Sequence, residues 1–193
     1  SHLANGSNVI GAMVANGWYR GPLAWEKNKK IYGDKTALLF QLEVTYTDGS
    51  KETINSDGTW KTATGPFRSS EIYHGEVYDA GKEKTGWMKT GFNDNDWKAV
   101  VISSDPKDKL IATYGPSVTK HETFKPVKII TTPKGETVID FGQNLVGLLQ
   151  IKVKGKAGDK ITIHHAEVLD KEGNFYITNL RAAKQEIQYT LKG

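Results

Sequence analysis

The stretch TALLFQLEVTYTDG, residues 36–49, decides the fold class. Its apolar side chains stand two residues apart from Phe40 to Tyr46, with polar residues between them. This alternation is typical of a β-strand that turns one face to a core and the other to water. The Asp-Gly pair at the end of the stretch suits the positive φ angles of a tight turn. We therefore predict a β-hairpin, with residues 51–55 as its returning strand.

The same alternation recurs along the rest of the chain, at Leu149, Ile151 and Val153, at Ile161 and Ile163, and at Ile187, Tyr189 and Leu191. An early strand is also expected at Val9–Ala15. We find no convincing helical period over about ten residues or more. Short alternating strands with frequent turns are typical of β-sandwiches. We predict an all-β fold of two β-sandwich, jelly-roll-like units.

A domain boundary is predicted near residues 103–125, where two prolines, mixed charge and a broken period interrupt the alternation. We interpret 1–104 as the first β-sandwich, 105–124 as a connector and 125–193 as the second β-sandwich. The first predicted strand comes almost at once after the start of the chain. We therefore expect the first unit to be truncated and the polypeptide to be a piece of something larger.

Composition excludes several functional classes. The chain has 193 residues, no cysteine and a formal net charge of +4. No run approaches the roughly 18 apolar residues that a transmembrane helix needs. The lysines are scattered rather than concentrated in a basic stripe, so we expect neither a nucleic-acid partner nor a membrane. Without cysteine there is no disulfide, thiol nucleophile or thiolate metal site.

The densest group of binding-type side chains lies in a glycine-rich loop, NGWYRGPLAW at 16–25, which YGD at 32–34 soon follows. Its members are Trp18, Tyr19, Arg20, Trp25 and Asp34. Aromatic rings stack on the C–H faces of sugars, and planar polar side chains hold the hydroxyls, so this group suits a saccharide site. The alternative is that the tryptophans fill the end of the core and the arginine pairs locally. Composition alone leaves both open.

A second group lies in EIYHGEVYDA, residues 71–80. On an extended segment Glu76 and Tyr78 point one way, and Val77 and Asp79 point the other. The carboxylates Glu76 and Asp79 could bind a sugar or Ca²⁺, which takes several oxygen ligands. They could equally form a half-exposed strand edge.

Other polar clusters do not predict chemistry. The run Asn93 to Asp96 lacks the glycine and the distal glutamate of an EF-hand, so we interpret it as an Asx turn before a buried Trp97. Trp60 follows a similar turn and is expected to be a second buried anchor. His165 and Glu167 share a strand face, but a zinc site needs a third ligand. No nucleophile motif is present, so we predict neither a metal site nor a catalytic residue.

Three motifs occur in an order that is specific to one family: NGWYRG at 16–21, GEVYDA at 75–80 and DFGQN at 140–144. The region that contains the first two resembles the N-terminal β-domain of bacterial α-L-rhamnosidases. The region from Phe124 onward is similar to the concanavalin-like sandwich that follows it in that family. The resemblance covers nearly the whole chain.

The resemblance implies an accessory role. In this family an (α/α)₆ barrel follows the second β-domain and holds the acidic residues of the inverting glycosidase reaction. It therefore implies that this chain is a non-catalytic region of a glycoside hydrolase acting on terminal α-L-rhamnose, that it scaffolds the barrel, and that it is inactive alone. The implied partners are the barrel on the same polypeptide and a rhamnose-containing glycan, in an extracellular or periplasmic location.

Some family members bind rhamnose together with a calcium ion in a domain of the first type. Carried over to this chain, the resemblance points to the NGWYRG loop, Asp34, Glu76 and Asp79. With the composition of the loop added, the predicted sugar site consists of Trp18, Tyr19, Arg20, Trp25, Asp34, Glu76 and Asp79. No cofactor is expected to be required, and Ca²⁺ is the cation that the family implies. Two alternatives stay open: a structural β-module without a ligand, and an independent lectin-like domain.

Overall fold

The computed structural model describes residues 3–23, 28–108 and 110–193. Regular structure in this part is almost entirely β, as predicted. The strands are β1 (Gln41–Thr45), β2 (Lys51–Asn55), β3 (Lys61–Thr62), β4 (Phe67–Glu71), β5 (Gly75–Asp79), β6 (Lys98–Ala99), β7 (Lys128–Thr131), β8 (Thr137–Asp140), β9 (Lys160–His164), β10 (Val168–Leu169), β11 (Phe175–Tyr176) and β12 (Glu186–Thr190). One short helical turn, α1 (Gly17–Arg20), and two 3₁₀ turns (Ala80–Lys82 and Thr178–Leu180) complete the list.

The predicted hairpin is confirmed as the antiparallel pair β1–β2, in which Leu42 faces Ile54. Its turn is closed by the Asp48 carboxylate, which accepts hydrogen bonds from the amide and hydroxyl of Ser50 at 2.9 and 2.6 Å. Gly49 has a φ of +85°, the region that an Asp-Gly turn needs. Three further strand pairs are two-stranded as well: β3–β6, β7–β8 and β10–β11.

The largest sheet has the strand order β4-β5-β12-β9. β5 pairs antiparallel with β4 and parallel with β12, so that Glu186 lies opposite Gly75 and Tyr189 opposite Tyr78. The Tyr78 and Tyr189 rings stack at a centroid distance of 5.1 Å, and Phe67 meets Tyr78 edge-on at 4.9 Å. Strands from distant parts of the chain are thus joined by backbone pairing and by a row of aromatic rings on one face.

An ionic contact holds the same junction. The Tyr78 hydroxyl donates to Glu83 at 2.9 Å, and Lys192 forms a salt bridge with the same carboxylate. Burial, together with the hydrogen bond to Glu83, raises the pKa of Tyr78 to about 12. The phenol therefore stays protonated, and remains a donor, throughout the physiological range.

Gly75 is a point of close backbone approach within the sheet. Its φ is +91°, and a Cβ atom there would lie 2.1 Å from the Glu186 carbonyl oxygen. The Glu186 amide donates to the His74 carbonyl at 3.2 Å, so the two backbones meet directly beside this glycine. Only glycine fits here, because any side chain would clash with backbone rather than with a movable group.

By its internal contacts the chain divides into two compact units. The first runs to Ser104 and also takes in Gly155–Ile163 and Glu186–Gly193, whereas the second consists of Asp105–Lys154 and His164–Gln185. The segments that join the first unit are those of β9 and β12, and alternation alone does not say which sheet a strand enters. The predicted domain bounds 1–104, 105–124 and 125–193 stay a prediction.

In the second unit a polar network ties the hairpin β7–β8 to the hairpin β10–β11. Thr132 and Asn174 are both 4% exposed. The Glu136 carboxylate accepts from the Thr132 hydroxyl at 2.7 Å and from the Phe175 amide at 3.0 Å. The Asn174 backbone amide donates to the Asp170 carboxylate at 2.7 Å, and the Asn174 side-chain oxygen accepts from the Lys134 backbone amide at 3.1 Å.

Two predicted strands are not formed. Val9–Ala15 and the segment at Leu149, Ile151 and Val153 have no strand pairing in the part of the chain that the structure describes. The first segment is apolar or glycine throughout and the second alternates, but a strand exists only where a neighbour completes its hydrogen-bond ladder. The end of the first segment instead lines a cleft beside Phe67 and Ser70 of β4.

The two tryptophan anchors are half-buried rather than buried, which corrects the prediction. Trp60 packs on Phe40 with ring centroids 5.7 Å apart. Trp97 packs between Trp87 and Phe92 at 6.2 and 5.8 Å. Both follow Asx turns as expected, and both keep partial exposure to solvent.

We expect Gly75→Ala to destabilise the first unit by about 2–4 kcal/mol, because alanine disfavours the positive φ and its Cβ would displace the Glu186 backbone. Urea unfolding followed by circular dichroism measures the loss. Gly65→Ala is the matched control, since nothing lies within 4 Å of a Cβ there and no positive φ is required. Equal midpoints for the two variants would contradict the tight fit at Gly75.

A second prediction concerns acid stability. The Phe175 amide lowers the pKa of Glu136, and the Asn174 amide lowers that of Asp170. A carboxylate with a lowered folded-state pKa stabilises above its unfolded value, and this stabilisation is lost as the pH falls through the folded value. We expect the second unit to lose stability as the pH falls below about 4.

The measurement is the urea midpoint between pH 7 and pH 3 for the native sequence, Asp170→Asn and Asp108→Asn. Asp170→Asn keeps an oxygen acceptor but does not titrate, so its midpoint should fall less steeply. Asp108 is exposed on the predicted connector and serves as the control. A decline in Asp170→Asn as steep as in the control would exclude Asp170 as its cause.

Candidate functional site

The aromatic loop, which we define as the described residues 16–23 and 28–34, is closed by its own backbone. NGWYRG folds into α1, where the Arg20 amide donates to the Asn16 carbonyl at 3.0 Å. The chain then returns beside itself through a bridge between Pro22 and Lys29, and the Lys30 amide donates to the Arg20 carbonyl at 3.2 Å. The two described parts of the loop are therefore hydrogen-bonded to each other.

Three aromatic side chains of this loop face solvent. Trp18 is 58%, Tyr19 47% and Tyr32 62% exposed. The two tyrosine rings stack at 6.4 Å with 21° between their planes. Gly33 permits this arrangement, since a Cβ there would lie 2.1 Å from the Tyr19 hydroxyl. Trp18 therefore does not fill the core, and the loop presents flat apolar surface of the kind on which sugar rings stack.

The remaining predicted residues of the loop take different positions. Arg20 is half-buried, and its Nε has no hydrogen-bond partner among the described residues. Asp34 is exposed and directly follows Gly33, which lies against the Tyr19 hydroxyl. Trp25 lies outside the described residues. The structure thus brings Trp18, Tyr19 and Arg20 together on one turn, and Asp34 lies on the returning segment of the same loop.

The carboxylates Glu76 and Asp79 do not converge. They lie on opposite faces of β5, as their odd spacing dictates. Glu76 is half-buried next to Tyr78 and opposite Ser70, and its burial raises its pKa. Asp79 accepts from the Gly81 amide at 3.0 Å and so caps the 3₁₀ turn that follows.

These two residues do not fit a calcium site. Ca²⁺ takes six to eight oxygen ligands around one point, whereas the carboxylates point away from each other across the sheet. Among the described residues, no group of three or more histidine, aspartate or glutamate side chains could hold a metal ion. In the same part of the chain, no helix is both long enough and apolar enough to cross a bilayer.

Glu71 is the residue of this region that sequence reasoning missed. It ends β4, and its Oε1 accepts a hydrogen bond from the Asn16 amide group at 3.4 Å. A Cβ on Gly21 would lie 3.5 Å from the Glu71 side chain, so both ends of α1 meet this glutamate. The partners are 55 residues apart, and no local spacing reveals such a contact.

Two family models match this chain. The description "Alpha-L-rhamnosidase N-terminal domain" matches residues 1–122, and "Bacterial alpha-L-rhamnosidase concanavalin-like domain" matches residues 130–193. Together they cover nearly all of the chain, in the order that the sequence resemblance implied.

Individual relatives agree with this. An α-L-rhamnosidase of Streptomyces avermitilis is 42% identical over 100% of this chain and 19% of its own length. One of Formosa agariphila is 39% identical over 97% of this chain and 20% of its own length. The chain therefore spans about one fifth of the length of these relatives.

Solved structures of α-L-rhamnosidases also match this chain. The crystal structure of native α-L-rhamnosidase from Aspergillus terreus matches 92% of this chain and 20% of its own, with 44% identity and a TM-score of 0.85. The crystal structure of the Streptomyces avermitilis α-L-rhamnosidase complexed with L-rhamnose matches 93% of this chain and 18% of its own, with 40% identity and a TM-score of 0.85. The chain belongs to the bacterial α-L-rhamnosidase family and corresponds to the N-terminal region of its members.

Proposed function

We propose that this chain is a non-catalytic accessory region of an α-L-rhamnosidase, which scaffolds the catalytic barrel on the same polypeptide and offers a weak sugar contact at the aromatic loop. The observation that carries the sugar contact is the exposed surface of Trp18, Tyr19 and Tyr32. Arg20 and Asp34 supply polar groups beside it. The proposed ligand is a rhamnose-containing glycan, and the proposed location is extracellular or periplasmic.

A separate observation supports the scaffolding part. Many apolar side chains outside the paired strands are exposed, among them Val118, Val146 and Leu148, the last at 100%. Exposed apolar side chains in such number are consistent with contact to further protein, as expected of a region that supports another domain. A purely structural module without a ligand is therefore the second candidate function, and the independent lectin is the third.

We predict that L-rhamnose binds with a dissociation constant of roughly millimolar, about 4 kcal/mol, because a monosaccharide offers few contacts and its hydroxyls must be desolvated. Nuclear magnetic resonance titration of the ¹⁵N-labelled chain measures it. Trp18→Ala combined with Tyr19→Ala should weaken binding at least tenfold, since stacking surface is lost. Because Glu76 and Asp79 do not converge, adding Ca²⁺ or a chelator should leave the affinity unchanged.

The control for that titration is Tyr114→Ala, which removes a still more exposed aromatic ring, 91% exposed, from the second unit. It should bind rhamnose as the native sequence does. If the loop variant also binds normally, the sugar site lies elsewhere. If no protein shows shifts at high millimolar sugar, the purely structural module is the better description.

We also predict that the chain alone releases nothing from a chromogenic aryl α-L-rhamnoside. The family resemblance puts the acidic residues of the reaction on the barrel, and the carboxylates Glu76 and Asp79 do not face each other across a common site. The assay compares the purified chain with a full-length α-L-rhamnosidase. Turnover that co-purifies with this chain through several columns would overturn the accessory role.

A further inference from the structure

The aromatic loop is anchored to the main sheet at one point. α1 packs against β4. Within α1 and its flanks, Asn16 and Arg20 are four residues apart and therefore lie on the same face of the turn. The Asn16 side chain reaches Glu71 of β4, which sets this face toward the sheet and leaves Trp18 and Tyr19 on the outer faces.

Glu71 has the chemistry of an anchor. An ionised carboxylate accepts hydrogen bonds only, and the neutral Asn16 amide group is a donor that suits it. The side chain is half-buried, and it packs against Gly21 where the turn ends. Gly21 admits no side chain, since a Cβ there would lie 2.4 Å from the Gly17 carbonyl oxygen. The turn is thus held from beneath at both of its ends.

The anchor itself depends on the far end of the chain. Glu71 lies opposite Gly75 in the β4–β5 register, and Gly75 lies opposite Glu186 in the β5–β12 register. Displacement of β12 would disturb Gly75, then Glu71, and then the contact between Glu71 and α1. These contacts all lie within the first compact unit.

We propose that Glu71 is the positioning residue of the aromatic loop: it holds α1 on β4 and thereby sets the presentation of Trp18 and Tyr19 to a sugar. The effect on affinity rests on the proposed sugar contact, whereas the anchoring does not. Glu71 acts through Asn16 and the backbone of Gly21, and it is not assigned a contact with the ligand.

The test uses three variants of the whole chain and two readouts. Glu71→Ala removes the acceptor. Glu71→Gln keeps an oxygen that can still accept from Asn16. Glu43→Ala is the matched control, because Glu43 is also a strand glutamate that accepts from a side-chain amide, that of Gln41 at 3.1 Å, but on β1. The readouts are hydrogen exchange of the Arg20 amide, which closes α1, and the rhamnose titration.

In Glu71→Ala we expect the Arg20 amide to exchange about tenfold faster and the rhamnose dissociation constant to rise about fivefold, because the turn opens more often. Glu71→Gln should stay within about twofold of the native sequence in both readouts. Glu43→Ala should change neither. Retained global stability in all three variants, checked by urea unfolding, shows that the exchange is local.

A reversed pair gives an independent check. Asn16→Asp alone should speed the exchange, because two carboxylates would face each other. Asn16→Asp combined with Glu71→Gln restores one donor and one acceptor, and should slow the exchange again.

The outcomes separate the two proposals. If the native chain binds no rhamnose, the sugar contact fails, and the Arg20 exchange still decides the anchoring. Unchanged exchange in Glu71→Ala would overturn the anchoring. Faster exchange with an unchanged rhamnose dissociation constant would overturn the positioning role and leave Glu71 as a structural contact only.

Discussion

The parallel pairing of β12 with β5 is the interaction on which the first unit depends. It adds two strands to β4 and β5, and so converts a hairpin into a four-stranded sheet. An isolated two-stranded pair is marginal in water, whereas a wider sheet with an aromatic face is not. Gly75 makes the approach of the two backbones possible, and the stacked rings of Tyr78 and Tyr189 cover one side of the junction. The Glu83 carboxylate, which receives both Tyr78 and Lys192, closes it at the other end of the strands.

Local features of the fold were predictable from sequence, and long-range ones were not. The β1–β2 hairpin follows from alternation and an Asp-Gly turn, both of which lie within one short window. The place of β12 does not, because Ile187 and Tyr189 alternate in the same way whichever sheet they enter. The segment at Leu149, Ile151 and Val153 shows the converse: its pattern is that of a strand, yet it pairs with nothing in the described chain. Pattern encodes the capacity to form a strand, and pairing requires a partner.

The candidate site divides in the same way. The aromatic loop was selected by composition, because tryptophan, tyrosine and arginine are side chains that suit a saccharide, whereas the exposure of Trp18 and Tyr19 is visible only in the structure. Odd spacing on β5 already separated Glu76 from Asp79, and the structure assigns Asp79 to the cap of a turn. Glu71 could not have been selected, since its relation to Asn16 is made only when β4 comes to lie beneath α1. For such contacts the three-dimensional neighbourhood is the only source of information.

The distance in sequence between the two sides of the central junction has a consequence for biosynthesis. Lys192 and Glu83 are 109 residues apart, so the ribosome makes β4 and β5 long before their partner strand exists. At roughly 5–20 residues per second, the nascent chain carries an open β5 edge for several seconds or more. Pairings between distant segments also close slowly, because the loop entropy must be overcome first. During that interval the exposed edge is open to pairing with other chains, and nascent-chain chaperones are the natural protection for it.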